Sequence, residues 1–277
     1  MPWIDRIVDL AIEEDLGRGD VTTRLTVPVG LETIGRAVAR EDLVMSGGDV
    51  FLAVMHRVDP RIDVEIMVED GNRAAAGKPL IRAKGRVASL LMAERVALNF
   101  LQRLCGVAAL TQKFIDALPE GSKVRVTDTR KTTPGMRFLE RRAVLHGGGH
   151  NHRVDLAGGV LIKENHVAAA GSMEAAVRRC LDGAPHPLRV EAEVRSDTEL
   201  NAALKAGVDA VLLDNMRPKD IERCVGIVQG RAFVEASGGI DLETIAAVAV
   251  TGVDAVSIGA LTHSAEAADI SFLLEGA

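Results

Sequence analysis

The chain has no tyrosine, a single tryptophan and six phenylalanines in 277 residues. Aliphatic and small side chains must therefore fill its core, and there is no ladder of rings on which successive nucleic-acid bases could stack. Cysteine is almost as scarce. Cys105, Cys180 and Cys224 are odd in number and far apart, which suits neither a disulfide framework nor a paired zinc knuckle, so each reads as a small buried hydrophobe. No apolar run approaches the length of about eighteen residues that a membrane helix needs, and the opening MPWIDRIVDLAIEEDLGRGD lacks a basic n-region and an unbroken apolar segment. Neither a membrane span nor a signal peptide is expected, and the protein reads as soluble and cytoplasmic.

What is present is a composition that is 47% hydrophobic, enough for a substantial core, in a length that suits one large α/β barrel or two unequal domains. The net charge is −6, yet Lys123 to Arg153 holds eight Lys or Arg (Lys123, Arg125, Arg130, Lys131, Arg137, Arg141, Arg142, Arg153) against Asp128 and Glu140. A local excess of cations in an acidic chain points to a focused anion site, since a general polyanion binder is usually basic throughout. Arg137, Arg141 and Arg142 read as a solvated helix face.

The first hundred residues mix helix and short strands. Met1 to Leu16 is helical in pattern and ends at Gly17; TIGRAVA, DVEIMVE and KPLIRAKG read as strands between turns. Leu90, Ala93, Ala97, Leu101 and Leu104 then form a helical stripe that Gly106 should interrupt, placing a boundary near 105–115. Beyond it VRVTDTR, GVLIKENH, RVEAEV, AVLLDN, AFVEASGG and AVSIGAL recur about every twenty residues with helical stretches between, and GVDAVLL and GVDAVSI form a weak repeat. Alternating strand and helix implies parallel strands joined by right-handed crossovers. The expected architecture is an N-terminal α/β open sandwich over 1–110 and an incomplete α/β barrel of six or seven strands over 111–277, whose last helix could pack back on the first domain.

In such a barrel the C-terminal strand ends share one rim, which would gather Asp128, Arg130, Lys163, Glu193, Asp214, Ser237 and Gly259. SGG at Ser237 to Gly239 and SIGA at Ser257 to Ala260 suit phosphate binding by backbone N–H groups, glycine letting the anion come close. Glu193 and Asp214 facing a phosphate-rich substrate would make a Mg²⁺ mount; as structural acids they would instead need a partner such as Lys163. Lys163 could also serve as a Schiff-base lysine. Arg130 and Lys131 pair a planar fork with a point charge, apt for carboxylate and phosphate. His150 and His152, two residues apart, would face opposite sides of a strand and lack a third ligand at metal spacing, so GGGHNHR is not read as a zinc site.

In order along the chain, TDTRKTTPGMR, HGGGHNHR, VLIKENH, VEAEV, LLDN, EASGGI and SIGALTHS closely resemble quinolinate phosphoribosyltransferases, as do EEDLGRGDVTTRLT, DGNRAAAGKPL and AERVALNFLQRLCG. The resemblance implies transfer of phosphoribosyl from 5-phosphoribosyl 1-diphosphate to quinolinate with decarboxylation, giving nicotinate mononucleotide, diphosphate and CO₂ in de novo NAD synthesis. It implies Mg²⁺ as cofactor and a homodimer or hexamer in which Arg95 completes the neighbouring site. By the same resemblance Arg130 and Arg153 would grip the quinolinate carboxylates. Thr129, Lys131, His152 and Lys163 would lie beside them and the diphosphate, with Lys131, Lys163, Glu193 and Asp214 as the catalytic group. Glu193 and Asp214 would face the ribose hydroxyls and Mg²⁺, and Ser237, Gly238, Gly239, Ile258, Gly259 and Ala260 would hold the 5-phosphate. Cys105, Leu145, His146, Ala192 and the VDLAGG after Arg153 depart from the usual pattern without removing a charged group. The alternatives are a molybdenum-transport-associated homologue of the same fold, a phosphate-binding barrel lyase using Lys163, and a non-catalytic polyanion-binding module.

Overall fold

The structure is a computed structural model that describes residues 2–275. Met1, part of the expected first helix, and residues 276–277 of the expected barrel domain lie outside the described residues. The chain divides into two compact units, Met1–Gln112 with Thr132–Gly148 and Leu261–Ala277, and Lys113–Lys131 with Gly149–Ala260.

The first unit opens with α1 (Pro2–Leu16) and α2 (Val21–Thr26), the latter started by Asp20, whose carboxylate accepts the Thr23 N–H at 2.9 Å. There follow β1 (Glu32–Ala39), β2 (Leu43–Val44), α3 (Gly48–Val58), β3 (Asp63–Ile66), β4 (Arg73–Ala74), β5 (Pro79–Arg86) and α4 (Val87–Asp116). The remaining elements are β6 (Arg125–Thr127), α5 (Arg137–His146), β7 (Val160–Ile162), α6 (Glu164–Ala170), α7 (Met173–Gly183), β8 (Val190–Val194), α8 (Asp197–Ala206) and β9 (Ala210–Asp214). After them come α9 (Pro218–Val228), β10 (Phe233–Ser237), α10 (Ile245–Ala249), β11 (Ala255–Ser257), α11 (Ala260–His263) and β12 (Ile270–Leu274).

Most of the last helix, α11, is grouped with the first unit, and so is the strand that follows it: β12 pairs antiparallel with β1 in the sheet order β12-β1-β5-β3. ISFLL carries Ile and Phe, which favour strands. Gly106, expected to break the helix, lies inside α4, which runs on through it. The reason is a crossing chain: a Cβ on Gly106 would stand 1.9 Å from the Glu266 carbonyl oxygen, and the Ala268 N–H donates to Gln102 at 2.9 Å. Stretch 132–148 is grouped with the first unit, and within it Glu140, fully buried, accepts from Arg103 of α4 and from Thr133. Cys105 and Cys224 are buried and Cys180 half-buried, burial pushing the Cys105 thiol up to about 12.

In the second unit six parallel strands lie in the order β6-β11-β10-β9-β8-β7. Their apolar residues are buried on both faces, as a parallel sheet flanked by helices requires. Serines 172 and 196 cap α7 and α8, and Pro218 opens α9, so the crossovers begin where the sequence supplies start signals. Beside β6 the backbone of His150 makes one further parallel bridge to Thr127. Among the described residues no helix is long and apolar enough to cross a membrane.

Gly106→Ala is expected to lower stability by about 2 kcal/mol or more through overpacking, although alanine is the better helix former by about 1 kcal/mol. Urea unfolding of both proteins reads the sign, and a variant as stable as the parent would refute the crossing-chain explanation.

Candidate active site

Because the six strands run in one direction, the residues that follow or end them meet on one side. Thr129, Arg130 and Lys131 follow β6, Lys163 follows β7, Glu193 lies near the end of β8, and Asp214, Ser237 and Ser257 end β9, β10 and β11. They line a single cavity of about 370 Å³ together with His152, Arg153, Leu161, Leu212, Glu235 and Gly238. Gly239, Ile258, Gly259 and Ala260 are not among its lining residues, although Ile258 is tied to the same strand ends, its N–H donating to Thr127 at 3.0 Å. Arg95 is exposed on α4 and does not line it either.

GGGHNHR is anchored through its backbone. The His150 N–H donates to Val126 at 2.8 Å, the Asp128 N–H donates back to His150 at 3.1 Å, and the Asp128 carboxylate, fully buried, accepts the His152 N–H at 2.8 Å. His150 itself faces outward, so the side chains delivered to the cavity are His152 and Arg153. Arg153 is held by donation from Nη1 to the Gly159 carbonyl at 2.9 Å, and burial together with the nearby charge of Arg130 pushes its pKa down. Such crowding of cations favours an anionic ligand.

Below His152 lie two acids that the sequence reading passed over. Its Nε2 is 3.3 Å from Glu191 and 3.5 Å from Glu235, both buried, and one Glu235 oxygen accepts no hydrogen bond. The signal was present in the period of two: Glu191 shares a strand face with Glu193, and Glu235 with Ser237. Register explains their depth, since Glu193, Leu212, Glu235 and Ala255 form one line across the sheet and Glu191 sits two residues earlier. The donor atoms of His152, Glu191 and Glu235 lie within 4.8 Å of one another, a spacing a metal could use. A metal ligand must be a neutral imidazole, whereas the two carboxylates push the pKa of His152 up to about 10, and burial pushes that of Glu191 up as well. The cluster thus holds a proton that an isolated imidazole would release near neutrality.

The second charged group stands at the rim. Lys163 Nζ is 2.7 Å from Glu193 Oε2, while Arg195, which the sequence reading did not single out, reaches Glu193 Oε1 at 3.1 Å and Asp214 Oδ2 at 3.0 Å. A Schiff-base lysine needs a free lone pair; Lys163 is committed to an ion pair. For Mg²⁺ the donor set has the right chemistry, two carboxylates on adjacent strands beside space for substrate oxygens. Both oxygens of Glu193 are engaged by cations, whereas Asp214 is more open, its side chain 26% exposed.

Gly238 and Gly239 adopt left-handed backbone, φ 90° and 65°, and a Cβ on Gly238 would come within 2.9 Å of the Asn215 nitrogen. Only glycine lets the loops after β9 and β10 pack so closely beside Ser237.

Comparison with known proteins converges on one family. The quinolinate phosphoribosyl transferase N-terminal domain matches residues 20–105 and the C-terminal domain of the same name matches 107–273. Nicotinate-nucleotide pyrophosphorylase (carboxylating) of Mycobacterium leprae is 42% identical, over 94% of this chain and 93% of its own. Quinolinate phosphoribosyltransferase (decarboxylating) 1b of Nicotiana tabacum is 36% identical, over 97% and 81%. The solved structure of the nicotinate-nucleotide pyrophosphorylase from Francisella tularensis superposes with a TM-score of 0.94 at 37% identity, covering 99% of this chain and 96% of that one.

The buried cluster sets a pH dependence. His152 and Glu191 both have folded pKa values above their unfolded ones, so the native state binds more protons and stability falls as pH rises. For His152 the stabilisation is complete below about 6.5 and lost through about 10. Unfolding free energy is expected to drop by about 2–4 kcal/mol across that window, and to drop less in a His152→Asn, Glu191→Gln double variant. Equal slopes in the two proteins would exclude the cluster as the source.

Proposed function

The chain belongs to the quinolinate phosphoribosyltransferase family, and we propose that it transfers phosphoribosyl from 5-phosphoribosyl 1-diphosphate to quinolinate, releasing diphosphate and CO₂ and leaving nicotinate mononucleotide. The observation that carries this reading is one cavity lined by Arg130, Lys131, His152, Arg153 and Lys163 together with Glu193 and Asp214. A dicarboxylate and a phosphorylated diphosphate sugar bring several negative charges, which cannot be desolvated without such a set of cations.

In this reading Arg130 and Arg153 hold the two carboxylates of the pyridine, the guanidinium fork matching each one. Lys131 and His152 add positive charge beside them, Thr129 lies at the same edge, and Lys163 lies between the acids and the diphosphate. The loops at Ser237, Gly238 and Gly239 and at Ile258, Gly259 and Ala260 hold the 5-phosphate by their N–H groups. As the C1–diphosphate bond breaks, positive charge develops on the ribose, and Glu193 and Asp214 stabilise it while the pyridine nitrogen attacks. The C2–carboxylate bond then breaks, its electron pair drawn toward the positive ring nitrogen, and a proton takes the place of CO₂. No side chain has to form a covalent bond. Glu193 and Asp214 would hold Mg²⁺, which when bound supplies charge neutralisation for the departing diphosphate. The active form is a homodimer, or a hexamer built from it, with Arg95 reaching the neighbouring subunit's site, and it works in the cytoplasm.

Purified protein with Mg²⁺ and both substrates should yield CO₂ and nicotinate mononucleotide in equal amounts; product from nicotinate and none from quinolinate would overturn the assignment. Arg153→Ala should lower kcat/KM for quinolinate about 100-fold, the worth of charge-assisted hydrogen bonds, with Arg153→Lys restoring only part. Mixed dimers of Arg95→Ala and Lys163→Ala chains should regain activity that neither has alone; proven heterodimers without activity would argue against a shared site.

A further inference from the structure

We propose that Arg195 holds the place of the divalent cation in the ligand-free enzyme and withdraws from Glu193 and Asp214 when the cation arrives with the diphosphate sugar. The proposal rests on the transferase reading for the identity of that sugar. Arg195 follows β8 directly, and its three guanidinium nitrogens go to three different carboxylates: Nε to Asp214 at 3.0 Å, Nη2 to Glu193 at 3.1 Å and Nη1 to Glu164. Glu193 is nearly buried, its side chain 7% exposed, and two neighbouring carboxylates with only Lys163 as counter-charge in such a place would destabilise the fold. A guanidinium spanning both supplies the charge that a metal would supply later.

The contact is also made to be broken. The Arg195 side chain is 51% exposed and that of Glu164 71% exposed, and ion pairs this accessible to water hold weakly. The backbone of Arg195 stays anchored, its N–H donating to Glu199 at 2.7 Å, so only the side chain has to move. Next to it lies a second cavity of about 270 Å³ bounded by Glu164, Val167, Met173 and Glu199 as well as Arg195 and Glu193. Glu164, which Nη1 already holds, and one further acid, Glu199, line this cavity, and the guanidinium can retract there without losing all its partners. Lys163 keeps one oxygen of Glu193 in either arrangement.

The test is Mn²⁺ binding to the ligand-free protein, read from the electron paramagnetic resonance of free Mn²⁺, for the parent, Arg195→Ala and Arg195→Lys. Removing a positive charge a few ångströms from the cation should tighten binding by about tenfold or more in Arg195→Ala. Arg195→Lys, which keeps the charge but cannot span both acids, should fall between. The melting temperature of Arg195→Ala should drop in chelator and be regained with Mg²⁺, while that of the parent changes little. Unchanged or weaker Mn²⁺ affinity in Arg195→Ala, or, should that variant not fold, parental affinity in Arg195→Lys, overturns the proposal. Tighter Mn²⁺ binding by a variant of a parent that makes no nicotinate mononucleotide would sink the transferase reading and leave the displacement by the cation standing.

Discussion

Charge compensation at the mouth of a parallel sheet is the constraint on which the rest of this site depends. Five cationic or imidazole groups and three carboxylates line one cavity, and none of the acids can be understood apart from the cation beside it. Glu193 is tied to Lys163 and Arg195, Asp214 to Arg195, and Glu191 and Glu235 to His152. Each pairing removes part of the cost of taking a carboxylate out of water, while Arg130, Lys131 and Arg153 add cations to the lining of the same cavity. Parallel strands make this possible, since one direction of travel brings six loops to one side.

Much of this was legible in the residues. Each apolar run from VRVTDTR to AVSIGAL became a strand of the second unit, and Thr129, Arg130, Lys131, Lys163, Glu193, Asp214, Ser237 and Gly238 came together because they stand at or near those strands' ends, with His152 and Arg153 brought beside them by the His150 bridge to β6. What could not be read depends on contacts between distant segments. Gly106 looks like a helix breaker until the chain at Glu266 is seen crossing it. Arg195 looks like a solvated arginine after a strand; only the three-dimensional placement of Glu164 and Asp214 gives it partners. Glu191 and Glu235 were hidden for a different reason: attention went to strand ends, while period-two alternation also carries an acid one layer deeper.

The reading of GGGHNHR as no zinc site rests on an incomplete argument. A pair of histidines at i, i+2 does face opposite ways, with His150 exposed and His152 inward. Yet His152 finds two carboxylates at metal-like spacing, donors that sequence spacing alone did not reveal. The same carboxylates push the pKa of His152 up to about 10 and so favour a proton on the ring over an ion beside it.

The loop that carries His152 and Arg153 also has an entropic meaning. Asp128 holds the His152 amide, β6 holds His150 on both its N–H and its carbonyl, and Gly159 holds the guanidinium of Arg153. Little conformational freedom is left for a ligand to remove, so the cost of ordering these side chains is met during folding and not at each encounter. Arg195, which lines the neighbouring cavity, is the opposite, half exposed and held by contacts water can replace. A template fixed during folding thus stands next to a side chain whose ordering is left to solvent and ligand.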